Sequence, residues 1–85
     1  MPFYLYILQT KTTKKYYIGS SEHPEVRLHY HNTIEKGYTL RYRPWEIIYT
    51  KEYGSKALAQ QAERKVKSWK SKRMIEKLIA GEIQL

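Results

Sequence analysis

The chain has no cysteine, so disulfide staples and zinc–thiolate sites are both excluded. It has no long apolar run either. The longest, Phe3 to Leu8, is far below the roughly 20 residues needed to cross a bilayer. No basic flank or small-residue cleavage site accompanies that run, so a cytoplasmic chain without membrane contact is expected. Internal repeats, low-complexity segments and linkers are missing, and 85 residues suffice for one small core. A single domain over residues 1–85 is the expectation. Acidic residues are scarce: 8 Asp+Glu stand against 16 Lys+Arg, a formal net charge of +8. The excess is spread over both halves of the chain. A field of that kind draws polyanions, of which nucleic acid is the commonest in a cell.

Tyrosine is abundant, with nine among the aromatic residues. Its ring packs while its hydroxyl bonds, which suits a strand surface that meets a nucleic-acid backbone. Residues 3–9 are apolar and aromatic and read as a buried strand. The polar Thr10–Lys14 stretch fits a hairpin, and Lys15–Gly19 reads as the antiparallel return strand. Gly19 at its end allows a backbone geometry or close approach that a side chain would forbid.

Pro24 suits the first turn of a helix reaching about Asn32, capped by His23 or a preceding serine. Val26, Leu28 and Tyr30 offer its apolar contacts, and Arg27 and His31 share a face. Gly37–Pro44 reads as a basic, aromatic loop with Tyr38, Arg41, Tyr42 and Arg43. Trp45–Tyr53 is the third strand, with Trp45, Ile47 and Tyr49 alternating against Glu46, Ile48 and Thr50. Ser55 caps a helix striped by Leu58, Ala62, Val66 and Trp69. Ser71 interrupts that helix or caps another, bearing Met74, Ile75, Leu78 and Ile79 and stopped by Gly81. The predicted fold is α+β: a small three-stranded antiparallel sheet flanked by helices, in the order β-β-α-β-α-α.

Phosphodiester hydrolysis needs a base for water, a metal on the phosphoryl oxygens, a cation for developing charge, and a held backbone. Tyr6 and Tyr17, on adjacent strands, can put both phenols on one side of the hairpin. A free phenol, with a pKa of about 10, is a poor base at neutral pH. A metal and nearby cations would favour its ionised form. Arg27 can fork onto phosphate oxygens, and His31 can donate to a phosphate or relay a proton. Glu63 supplies one carboxylate, compatible with Mg²⁺, which keeps several waters. Each residue also has a plainer reading. The tyrosines could be ordinary strand aromatics, Arg27 and His31 a solvated face, and Glu63 the i,i+4 partner of Lys67. The lysines of 65–77 fit a solvated, polyanion-attracting face.

Taken together, Tyr4-Leu5-Tyr6, Tyr17-Ile18-Gly19, Arg27 and His31 on a helix, and a later helical glutamate resemble the GIY-YIG nuclease family. The likeness covers nearly the whole chain. It is strongest to small standalone members similar to the nuclease domain of the excision-repair incision subunit. The second motif is complete; in the first, Tyr4 stands for glycine and Leu5 for isoleucine. The resemblance implies a DNA endonuclease using one divalent ion, Mg²⁺ or Mn²⁺, in DNA repair or recombination. It implies catalytic roles for Tyr6, Tyr17, Arg27, His31 and Glu63, with Glu63 as metal ligand and Gly19 structural. Lys15, Arg41, Arg43 and Lys67 are the expected nucleic-acid contacts. Some members carry an asparagine after the glutamate helix to hold the site; here Glu63 is followed by none before Leu85. With no appended recognition domain, selection falls to a branched, flapped or damaged DNA, or to a targeting protein partner. The competing class is a non-catalytic nucleic-acid-binding module that keeps the fold.

Overall fold

The computed structural model describes residues 2–34 and 37–85, with only the backbone of Tyr38 and Thr39. The Tyr38 side chain, expected in the basic loop, therefore lies outside the described residues. Three strands, β1 (Phe3–Thr10), β2 (Tyr16–Ser21) and β3 (Trp45–Tyr53), form an antiparallel sheet in the order β2-β1-β3. Helices α1 (Pro24–Thr33), α3 (Lys56–Ser68) and α4 (Lys72–Ile79) match the expected order. A one-turn helix, α2 (Tyr38–Arg41), occupies part of the stretch expected to be loop.

β1 is the central strand and both its faces are covered, which explains its unbroken apolar sequence. Leu5 and Ile7 pack on one face with Ala62, Val66, Ile75 and Leu78 of α3 and α4. Tyr6 and Leu8 pack on the other with Trp45, half-buried Tyr17 and Leu28 of α1. Burying each such side chain contributes about 1.5–3 kcal/mol.

The hairpin between β1 and β2 is built on the buried Thr10 hydroxyl. Its Oγ1 accepts from the Thr13 N–H at 3.0 Å and lies 3.4 Å from the Lys15 nitrogen. Lys14 turns through a left-handed φ of 60°. Thr10→Val keeps the shape and strips those N–H groups of their acceptor. A loss of about 1–2 kcal/mol is expected, read from the urea unfolding midpoint.

Ser55 and Ser71 cap α3 and α4, their hydroxyls accepting from the Leu58 and Met74 N–H groups at 3.2 Å. Ser71 thus starts a separate helix. α4 closes with Gly81 at φ 80°: its N–H bonds to Leu78 O and that of Glu82 to Lys77 O, a Schellman termination.

Three expectations change. The buried stripe of α3 is Ala59, Ala62 and Val66, while Leu58 is 50% exposed. Small alanines let the helix axis approach the sheet, which sets that face. On α1, Val26 faces solvent and Leu28 makes the core contact. On β3 the simple alternation fails. Ile7 pairs with Tyr49 but Leu8 pairs with Ile47, so one residue bulges. The bulge moves Tyr49 to the α3–α4 face, opposite Trp45 and Ile47.

Candidate active site

The site forms where β2, an edge strand, ends. Tyr6 stands opposite Gly19 on the neighbouring strand. A Cβ on Gly19 would lie 2.5 Å from the Tyr6 hydroxyl oxygen and 2.6 Å from its ring carbon Cζ. The missing side chain is therefore what lets the Tyr6 ring cross β2 and aim its hydroxyl at the sheet rim. Close approach, not a special φ, is the reason for glycine here.

α1 lies over the same face and delivers Arg27 and His31 one turn apart. His31 Nε2 is 3.3 Å from the Tyr6 hydroxyl. The His31 ring also packs on Tyr17, with centroids 4.5 Å apart, and Tyr17 meets Trp45 edge-on at 6.3 Å. His31 is 0% exposed. Its contact with Tyr6 fits the relay among its two expected roles; a phosphate contact would need the site to open. Arg27 hydrogen-bonds to the Tyr6 phenol, and its guanidinium sits 4.6 Å over the Tyr30 ring.

Glu63 arrives from the opposite face. Ile18 and Ser20 point towards α3 because Tyr17 and Gly19 point away. The Ser20 hydroxyl donates to Glu63 Oε1 at 2.6 Å, and Lys67 Nζ donates to Oε2 at 2.6 Å. The plainer reading of Glu63 as the partner of Lys67 is thus realised. It leaves the carboxylate available, because an ion pair whose lysine is half-exposed is worth only about 0.2–1 kcal/mol. Tyr6 reaches Gly19 and Glu63 reaches the neighbouring Ser20, so the two meet consecutive residues of β2 from opposite faces. Among the described residues, no three His, Cys, Asp or Glu side chains converge into a ready-made metal cage. One half-buried carboxylate, with no soft ligand beside it, fits a hard ion that retains waters.

Burial pushes the Tyr6 phenol above its ordinary value of 10.0; the Arg27 hydrogen bond opposes this, while Tyr17 and Glu63 add to it. The expected phenolate relied on a metal together with neighbouring cations; among the protein's own groups, desolvation outweighs the arginine and favours the neutral phenol. Burial also raises Tyr16, Tyr49 and Tyr53. A phenol whose folded pKa exceeds its unfolded value stabilises the fold below the unfolded pKa. That contribution is lost as pH rises through the folded pKa. Thermal midpoints should therefore fall above pH 10, and less steeply in Tyr6→Phe than in the parent.

Ser20 was not singled out in the sequence. The signal that could have found it is the strand alternation that puts it on the α3 side. Asn32 was also without a role: its side chain accepts from Trp45 N–H at 2.7 Å and donates to Trp45 O at 3.1 Å. It fastens the end of α1 to the start of β3. Arg43 Nε donates to His31 O at 2.6 Å, so this cation holds the last turn of α1. Lys15 and Arg41 are exposed, Lys15 sitting 5.0 Å over the Tyr42 ring. No helix among the described residues is long and apolar enough to cross a membrane.

A family model described as the GIY-YIG catalytic domain matches residues 2–77, and the chain belongs to this nuclease family. Among solved structures, it is similar to the UPF0213 protein BH0048 from Bacillus halodurans, determined by solution NMR. The two are 29% identical with a TM-score of 0.59, over 94% of this chain and 84% of the other. No curated protein matches the chain.

Proposed function

We propose that this protein is a metal-dependent endonuclease that hydrolyses DNA phosphodiester bonds at the rim of β2. The observation that carries the reading is the convergence there of Tyr6 and Arg27 from one face and Glu63 from the other. A binding module has no need of a carboxylate pointed at a phosphate site, since it repels the ligand.

One Mg²⁺ or Mn²⁺ held by Glu63 would polarise the phosphoryl oxygens and offset their charge. Arg27 turns its guanidinium from the phenol to the entering phosphate and forks onto two oxygens. Tyr17, more open than the 2%-exposed Tyr6, meets the attacking water and takes its proton. Tyr6 and His31 form the relay behind it, through their 3.3 Å contact. Lys15, Arg41 and Lys67 contact the DNA backbone, whereas Arg43 acts by holding α1. The DNA is selected by structure or by a targeting protein partner, in repair or recombination.

The test is incubation with end-labelled duplex, single-stranded, flapped and branched DNA, with Mg²⁺, with Mn²⁺ and with chelator. Cutting that requires the metal supports the nuclease. Binding without cutting on every substrate, with either ion, would replace it by the non-catalytic module.

A further inference from the structure

Each oxygen of Glu63 accepts from a different donor, and the two donors are not held equally. Ser20 Oγ donates to Oε1 at 2.6 Å from within β2, where the ladder to β1 fixes the backbone. Lys67 Nζ donates to Oε2, also at 2.6 Å, but from the end of a long flexible stem one turn along α3. Glutamate before lysine at this spacing is the favourable order on a helix. The lysine side chain is 52% exposed, the carboxylate 20%. Lys67 also lines an open groove of about 380 Å³ between β2 and the α3–α4 corner, so its ammonium has room to leave Glu63. An ammonium and a divalent ion on one carboxylate oxygen would stand about 4 Å apart, where two positive charges in a half-buried site repel strongly. Oε2 therefore takes one or the other.

We propose that Lys67 is a placeholder for the divalent ion, an autoinhibitory contact that closes Glu63 until DNA arrives. The role of Glu63 as ligand rests on the nuclease reading above. In the free protein the ammonium satisfies Oε2 and resists the ion. An incoming phosphate offers Lys67 a second anion, the stem swings to it, and Oε2 opens while Ser20 keeps Oε1 in place. Metal and DNA then load together, each raising the affinity for the other. The two bonds differ in consequence: the serine orients the carboxylate, and the lysine gates it.

The experiment is Mn²⁺ titration of the ¹⁵N-labelled full chain, alone and on a non-cleavable duplex. The readout is the ion concentration that half-broadens the Ser20 and Glu63 amides. Lys67→Met keeps a good helix former on an exposed face, so the fold is retained. The free variant should bind Mn²⁺ about fivefold more tightly than the parent, the most that releasing such an ion pair yields. On DNA the two should bind the ion alike, so the gain that DNA brings shrinks about fivefold in the variant. Lys67→Arg restores the charge and should behave as the parent. Lys72→Gln removes a charge held 5.8 Å from the Tyr16 ring centroid instead, and should shift free and bound states equally.

Parental affinity in free Lys67→Met would overturn the placeholder. So would an equal gain with and without DNA, which reduces Lys67 to part of a general field. Broadening that survives Glu63→Gln would overturn the nuclease reading and the placeholder with it. Broadening that needs Glu63 but ignores Lys67 would overturn the placeholder alone.

Discussion

Glu63→Gln is expected to abolish metal-dependent cutting while DNA binding in chelator stays intact or tightens. The amide preserves the shape and can still accept the Ser20 hydroxyl hydrogen bond seen at 2.6 Å. It loses the charge that would hold a divalent ion. The several kcal/mol such an ion contributes to phosphoryl transfer correspond to a fall of about 10³-fold or more. The side chain is 20% exposed and half of its bonding is to a surface lysine, so stability should move by less than about 1 kcal/mol. Single-turnover cleavage and anisotropy on the same DNA separate the two effects. Cleavage by the variant at the parental rate would remove Glu63 from the chemistry and the metal with it.

Gly19→Ala should be the most damaging change that adds only a methyl group. The new Cβ would lie 2.5 Å from the Tyr6 oxygen and 2.6 Å from Cζ, and the ring behind it is packed. Tyr6 must swing away, breaking its contact with His31 and with Arg27. A displacement of about 1 Å at a reacting group costs about 10² in rate, and overpacking of this kind about 1–3 kcal/mol in stability. Substrate affinity should change little, since no lysine or arginine is moved. A parental rate in a folded Gly19→Ala protein would mean that the Tyr6 hydroxyl has no part in the reaction.

The elements that position the site were legible because local chemistry specifies them. Trp45–Tyr53 is the strand its β-branched and aromatic residues describe, and Ser55 and Ser71 cap the helices they precede. Gly19 read as a point of close approach, and the structure supplies what approaches it. What was not legible depends on distant parts of the chain. Whether Tyr49 faces α1 or α3 turns on one bulged residue opposite Ile7 and Leu8, which no period-2 pattern encodes. The stripe of α3 shifts from Leu58 to Ala59 because the sheet accepts a closer helix. The plainer reading of His31, as half of a solvated face with Arg27, does not hold, since it is buried. Its burial follows from α1 lying flat over Tyr6 and Tyr17. Ser20 acquires meaning only once α3 is known to pack beneath β2. Arg43, legible as a basic loop residue, is held by a carbonyl that the end of α1 would otherwise leave open.

One metal-assisted site, held by Glu63, is proposed at the rim of β2. The most direct measurement is Mn²⁺ titration of the ¹⁵N-labelled protein bound to a non-cleavable DNA, followed by amide line broadening. Broadening should centre on Gly19, Ser20 and Glu63, and be lost in Glu63→Gln. Broadening centred elsewhere, or undiminished in that variant, would contradict the account.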